Sequence, residues 1–230
     1  FIAYIKFLNG NIKIFFVNIQ IKTFLKMILV SILILSIYLL LNDTSEFNFR
    51  SVLFNVISIL TGTGYVNAQF DSWGGFPLLI FICLMFIGGC AGSTTCGIKI
   101  FRIQILYSFV LNQLKKIIYP KGVFILKYNH NPVDDKFTAS IISFIYMYLV
   151  IFFVITALLS LSGLDFVTSI SGAATSISNV GPGLGPIIGP NGNFSSLPDI
   201  SKWILSFGMI LGRLELFAIL VLFLPSFWRN

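Results

Sequence analysis

Charge is scarce in this chain. Asp, Glu, Lys and Arg make up 10% of its 230 residues, and 57% are hydrophobic; a soluble domain carries about 25% charged residues. That balance excludes an ordinary soluble domain and points to an integral membrane protein. Histidine is nearly absent. The single one, His130, lies in a polar stretch, and no apolar run carries a pair of Asp residues. Ser93 therefore has no base in its own span, and an intramembrane protease is excluded; no enzyme is expected. Cysteine is equally sparse: Cys83, Cys90 and Cys96 form an odd set that gives no disulfide framework. Cys90 and Cys96 read either as two small buried residues or as a pair of metal ligands. The run Gly181-Pro-Gly-Leu-Gly-Pro186 lacks the Lys-Ser/Thr that closes a nucleotide P-loop. The chain opens on Phe1 without a signal-peptide pattern, and reads as beginning inside a longer protein.

What charge there is has a direction. Net charge is +7. The cations gather at Lys6, Lys13, Lys22 and Lys26, and again from Lys99 and Arg102 through Lys115, Lys116, Lys121, Lys127 and Lys136. Asp43, Glu46, Asp71, Asp165 and Asp199 fall in the turns between. Positive residues favour the cytoplasmic side, so both ends and the central linker are expected inside and the acidic turns outside. Anchoring at a lipid surface accounts for the basic runs without nucleic acid.

Residues 1–23 mix aromatic, aliphatic and basic side chains and read as a cytoplasmic interfacial segment. Phe24 to Leu41 is a first span, just short of the ~20 residues that crossing takes. Phe49 to Leu60 is apolar but too short to cross, with Asn48 or Ser45 as candidate caps. It stops at Thr61-Gly62-Thr63-Gly64-Tyr65. Phe76 to Leu111 would overrun both faces as one helix. Inside it lie Gly88, Gly89, Gly92 and Gly97 with Ser93, Thr94 and Thr95. Each interior Gly costs a helix about 1 kcal/mol relative to Ala, so a break is expected there. In lipid a break is tolerated only where protein or a water-filled cavity satisfies the backbone. The basic linker covers 112–137. Thr138 to Leu161 is an uninterrupted span; a second short helix runs from Asp165 to about Thr175 and stops at Ser178-Asn179-Val180-Gly181-Pro182. Trp203 to Phe227 is a last span, carrying Arg213 and Glu215.

The order of span, short helix, Gly-containing turn and second span thus occurs twice, over 24–111 and 138–230. An internal repeat defines architecture more firmly than a single motif. The fold class expected is an all-α membrane protein with two parallel membrane–pore-loop–membrane repeats, half of a four-part ring. The turns suit an ion filter of backbone carbonyls: Gly allows the dihedrals, hydroxyls add oxygens, and the short helices aim their negative ends at the ion. Thr61 to Tyr65 and Ser178 to Pro182 are the candidate filter, with Pro182 favouring extended geometry at Gly181. An Arg inside a span costs at least about 2.5 kcal/mol on insertion scales. Arg213 needs a partner. Glu215, two residues on, points elsewhere on a helix. Carbonyls of the 88–97 loop would make Arg213 a gate latch and a positive barrier; the alternative is a structural helix–helix ion pair.

Three stretches resemble one family. Phe86-Ile-Gly-Gly-Cys-Ala-Gly-Ser-Thr-Thr-Cys-Gly-Ile-Lys99 resembles the glycine-rich intramembrane loop of the TrkH/KtrB potassium-uptake family. Asn179-Val-Gly-Pro-Gly-Leu-Gly185 with Gly192-Asn-Phe-Ser-Ser-Leu-Pro-Asp199, and Leu211-Gly-Arg-Leu-Glu215, are similar to its last repeat. The resemblance implies four repeats, of which these are the third and fourth, and potassium translocation through a central pore of a bacterial cytoplasmic membrane. It places the filter glycines on Gly64 and Gly181, the gating loop on Gly88 to Gly97 and the intramembrane Arg on Arg213. It further implies a homodimer, a cytosolic nucleotide-binding regulatory subunit of the TrkA or KtrA kind, and no cofactor beyond potassium as substrate. Gly62, Asn179 and Pro182 depart from a potassium-channel filter, and Cys96 stands where Gly is commoner in the family. A sodium-permeable relative and a non-conducting scaffold are the competing readings. Half a ring alone is not expected to conduct.

Overall fold

The computed structural model describes Ile5, Gly10 and residues 18–42, 48–129, 131–214 and 216–229. Most of the expected interfacial segment, Ser45, the turn acids Asp43 and Glu46, His130 and Glu215 lie outside the described residues.

The first helix, α1 (Ile19–Leu41), starts earlier than Phe24 because Asn18 caps it, its side chain accepting from the amides of Gln20 and Ile21. Residues 19–23 therefore belong to a helix long enough to cross a membrane. A short helix, α2 (Phe49–Leu60), has the bounds of its apolar run and takes Asn48 as its cap, through the Arg50 amide at 3.0 Å. The long apolar run then divides into α3 (Gly75–Phe86) and α4 (Ile100–Ile118). Helix α4 runs on past Asn112, since nothing before Pro120 breaks it. A two-residue antiparallel pairing, β1 (Lys127–Tyr128) with β2 (Asn131–Pro132), folds the linker back; no alternation in the sequence announced it.

In the second half, α5 (Asp135–Leu161) is the other helix long enough to cross, and α6 (Phe166–Ser178) follows. Helix α6 continues through Ser176 and Ile177 to Ser178. The last apolar run is not one helix. It is α7 (Asp199–Arg213) and α8 (Leu216–Leu222), set at 112° to each other. Helix α7 ends at Arg213, where Gly212 lies on the Ile177 carbonyl and Arg213 bonds the Thr94 carbonyl.

Packing centres on the two short helices. Helix α2 sits against α1 and α3; α6 sits against α5 and α7, and α3 reaches across to α6. The core runs unbroken through both halves, from Leu35, Val52, Val56 and Phe81 to Phe152, Ala173, Ile177 and Leu205. Helix α6 is almost wholly buried yet rich in Ser, Thr, Gly and Ala. Small residues allow close helix approach, and the hydroxyls bond locally: Ser176 Oγ donates to the Ala173 carbonyl at 2.9 Å. Glycines on α7 let it close in. A methyl at Gly208 would press on Ser176 Oγ, and one at Gly212 would collide with the Ile177 carbonyl oxygen.

Gly212→Ala should lower thermal stability in detergent by the ~1–3 kcal/mol of an overpacked core. Gly75→Ala, where the added carbon meets nothing within 4 Å, should leave it unchanged. Asp165 caps α6, its Oδ2 accepting from the Thr168 amide at 3.1 Å, and hydrogen bonding from Thr168, its side chain first and then its amide, holds the carboxyl below its ordinary range. A lowered folded-state value means the benefit is present above the unfolded pKa and lost as pH falls through the folded one. Asp165→Ala should therefore cost about 1 kcal/mol near neutral pH. The gap should narrow below about pH 4, as read by melting curves across pH.

Candidate functional site

The loop after α2 is built to present carbonyls. Thr61 ends the helix, its Oγ1 donating to the Ile57 carbonyl at 2.7 Å and lying 2.7 Å from Thr63 Oγ1. The Ser58 carbonyl accepts from the amides of Thr63 and Gly64, at 3.0 and 3.4 Å. Ser58 Oγ donates to the Tyr65 carbonyl at 2.6 Å. Further out, fully buried Asn55 donates from Nδ2 to Asn67 Oδ1 at 2.9 Å. The amides of Thr63 and Gly64 are thus satisfied from behind, while Gly62 and Gly64 take positive φ of 66° and 76°. Among the described residues, the carbonyl oxygens of Gly62, Thr63 and Gly64 accept no hydrogen bond.

The loop after α6 follows the same plan with different residues. Asn179 is left-handed, at φ 52° and ψ 41°, and anchors to α7 by donating from Nδ2 to the Met209 carbonyl at 3.1 Å. Thr175 serves twice: its carbonyl accepts from the Val180 amide at 3.2 Å and its Oγ1 from the Gly181 amide at 2.9 Å. Ser171 Oγ pairs with both polar groups of the Leu184 backbone. Among the described residues, the carbonyls of Asn179, Val180, Gly181 and Pro182 accept nothing. The two loops touch. A side chain at Gly64 would collide with the Val180 carbonyl oxygen, and one at Gly181 would stand 4.0 Å from the Gly64 Cα. Two sets of carbonyls that accept no hydrogen bond among the described residues are therefore side by side. Unpaired polar backbone is rare in folded proteins; paired with a dehydrated cation, such oxygens are satisfied.

Below the first loop lies the segment 87–99, between α3 and α4. Its base is a parallel bridge of Ile87 and Ile98. The Gly88 amide donates to the Ile98 carbonyl and the Ile98 amide to the Phe86 carbonyl, both at 2.9 Å. Gly88 is needed there, since a methyl would strike the Cys96 carbonyl oxygen, and Gly97 has φ 82°. Three side chains from elsewhere hold the segment. Gln20 Oε1 of α1 accepts from the Ala91 amide at 2.8 Å. Arg213 at the end of α7 donates to the Thr94 carbonyl at 2.8 Å and points at Cys96 Sγ, 3.7 Å away. Lys99, at the loop's own root, donates to the carbonyls of Ser93 at 2.8 Å and Thr95 at 2.5 Å. Thr95 in turn donates from Oγ1 to the Thr61 carbonyl at 3.3 Å, so this segment meets the first loop directly. A cavity of about 350 Å³ opens beside it, lined by Thr94, Cys96, Lys99, Arg102, Phe144 and Arg213 among others.

The family model TrkH, described as a cation transport protein, matches residues 5–230. The chain belongs to the TrkH family. It is 43% identical over 231 residues to TrkI of Halomonas elongata, a Trk system potassium uptake protein, covering 100% of this chain and 47% of that protein. It is 34% identical over 177 residues to TrkH of Escherichia coli K12, covering 77% of this chain and 36% of that protein. The crystal structure of the potassium transporter TrkH from Vibrio parahaemolyticus superposes with a TM-score of 0.87 at 30% identity, over 94% of this chain and 46% of that one. The chain thus spans about half the length or less of these relatives. The all-α membrane architecture stands on that superposition together with the two helices long enough to cross.

Against this TrkH-type frame the anticipated residues take definite places. Thr61, Gly62, Thr63, Gly64 and Tyr65 form one loop; Asn179, Val180, Gly181 and Pro182 form the other. Ser178 does not join them: it is the last residue of α6, its Oγ 2.8 Å from the Tyr148 hydroxyl. Gly181 is not in ordinary extended geometry but at φ 111°, a region that favours glycine. Gly88, Gly89, Gly92, Ser93, Thr94, Thr95 and Gly97 all lie in the 87–99 segment. Cys96 is buried, Cys90 is half-buried, and both thiols are free; among the described residues no group of three or more His, Cys, Asp and Glu could hold a metal ion. Sequence reasoning missed Gln20, counted as interfacial, and Lys99, counted as a cytoplasmic charge. Its one available signal was a lysine at a helix start, where a cation is disfavoured.

Thr175→Val keeps shape but leaves the Gly181 amide without its acceptor. It should cost about 1–3 kcal/mol of stability, the usual penalty for a stranded donor. Melting in detergent would read it, with Ser206→Ala on the exposed face of α7 as the neutral control.

Proposed function

We propose that this chain forms part of a potassium-uptake pathway in a bacterial cytoplasmic membrane. The loops 61–65 and 179–182 line a carbonyl filter, and the 87–99 segment acts as the gate beneath it. The observation that carries this reading is the pair of touching loops whose carbonyls at 62–64 and 179–182 accept no hydrogen bond among the described residues. Potassium is the ion in the names of the relatives cited above. The short helices α2 and α6 end at these loops, and helix C-termini carry partial negative charge, which favours a cation there. Arg213 bonds a carbonyl of the gate segment and sits as a fixed positive charge in the cation's way. Thr95, touching both the gate segment and the Thr61 carbonyl, links the two.

The same reading extends to the assembly. A homodimer and a cytosolic nucleotide-binding regulatory subunit of the TrkA or KtrA kind are proposed for this chain as family properties, and the basic face at Lys115, Lys116 and Lys121 is the proposed cytosolic side. The chain covers 36–47% of these relatives, which leaves the other part of the proposed filter to residues beyond its match.

Rubidium and sodium uptake into liposomes bearing the intact protein tests the filter. Selective rubidium uptake, lost in Gly181→Ser, is the expected result, because φ 111° strains any side chain there. Equal uptake of both ions would favour a sodium-permeable pathway. Unchanged uptake in Gly181→Ser would overturn the filter assignment.

A further inference from the structure

Lys99 has no local reason to be a lysine. It stands at the residue preceding α4, with φ −57° and ψ 142°, and its side chain makes no cap to the helix amides. Ser, Thr, Asp or Asn would serve that position, and the positive end of the helix dipole disfavours a cation there. Its ammonium instead turns back into the loop. An ammonium has three donors and no acceptor, and three oxygens of the loop meet it: the Ser93 carbonyl at 2.8 Å, Ser93 Oγ at 3.3 Å and the Thr95 carbonyl at 2.5 Å. The residue is half-buried, and a charge in such a place is tolerated when it is well bonded.

The carbonyls involved are not those that Arg213 uses. Arg213 takes Thr94, the residue between. The chain bends at Thr94, so the two cations hold different carbonyls of one three-residue turn of backbone. They differ in origin. Arg213 belongs to α7, in the other repeat. Lys99 belongs to the root of the loop itself, next to the Ile87–Ile98 bridge. Movement of the segment away from α7 must break the Arg213 bond but leaves the Lys99 bonds intact.

We propose that Lys99 is the internal brace of the gate segment: it holds Ser93–Thr95 in the shape that Arg213 and the Thr61 carbonyl engage, and so sets how often the segment blocks the path. Lys99 is a positioning residue, distinct from the releasable tie at Arg213. The proposal rests on the gate reading given above.

The test uses the intact protein in liposomes, with Cys83, Cys90 and any cysteine outside this chain replaced by Ser so that a thiol reagent reports on buried Cys96. Lys99→Met keeps the length and removes the charge. Loss of charge-assisted bonds shifts an equilibrium about tenfold or more, so the expected result is an about tenfold rise in unstimulated rubidium leak. Cys96 labelling should quicken in parallel, and both should fall back toward the parent in Lys99→Arg. Lys99→Gln, which keeps a donor, serves if the Met variant does not fold by size-exclusion profile. Unchanged leak and labelling in a folded variant, with Gly181→Ser still abolishing uptake, would overturn the brace and leave the filter standing. Loss of uptake in a folded Lys99→Met would overturn it as well, since the loop would then collapse into the path. Uptake indifferent to Gly181→Ser would remove the filter reading and the brace together.

Discussion

An unpaired backbone group inside a bilayer has no water to turn to, and satisfying it from within is the constraint on which this chain is organised. Among the described residues, breaks follow the helix ends at Leu60, Phe86 and Ser178. Each described break is met by side chains chosen for reach. Ser58 and Asn55 serve the first, Thr175 and Ser171 the third, and Gln20, Lys99 and Arg213 the second. What remains unpaired is then informative. Among the described residues, the carbonyls at 62–64 and 179–182 accept no hydrogen bond, while other loop groups are given side-chain partners.

Close approach is the second constraint, and it explains where glycine is indispensable. Gly64 on the Val180 carbonyl joins the two halves of the proposed filter; Gly88 on the Cys96 carbonyl closes the root of the gate segment; Gly212 on the Ile177 carbonyl seats α7 against α6. In all three the neighbour is a carbonyl oxygen of another segment, so a side chain would displace the polar group the site depends on. Gly75 and Gly163, with open space around them, have no such role.

Much of this was legible in the residues. The apolar run Phe49–Leu60 is too short to cross and too apolar to be a loop, and it has the bounds of α2. Four glycines with three hydroxyls mark the break after α3, and a costly Arg in an apolar run must find carbonyls. Other features were set by tertiary contact and left no local trace. Gln20 and Thr23 look interfacial, yet Gln104 of α4 bonds to Thr23 Oγ1 at 2.6 Å and to the Ile19 carbonyl, tying α4 to the first turns of α1. The α7–α8 break follows Arg213, whose charge marked a need for a partner rather than a helix end. Lys99 counted toward a cytoplasmic charge bias because composition registers the charge and not the direction of a flexible four-carbon stem.

The contrast between the two kinds of loop suggests how one chemistry serves two purposes. A backbone carbonyl binds a guanidinium, an ammonium or a dehydrated potassium ion through the same partial charge. In the 87–99 segment the carbonyls of Ser93, Thr94 and Thr95 are already occupied by cations that the protein carries. In the proposed filter the amides are satisfied from behind, by the Ser58 carbonyl in one loop and by the Thr175 and Ser171 hydroxyls in the other, which leaves the carbonyls to the ion. On this reading, filter and gate differ less in backbone than in whether a covalently tethered cation has taken the ligand's place. The Arg213 bond to the Thr94 carbonyl joins α7 to a segment that lies between α3 and α4, whereas the Lys99 bonds stay within that segment and its root.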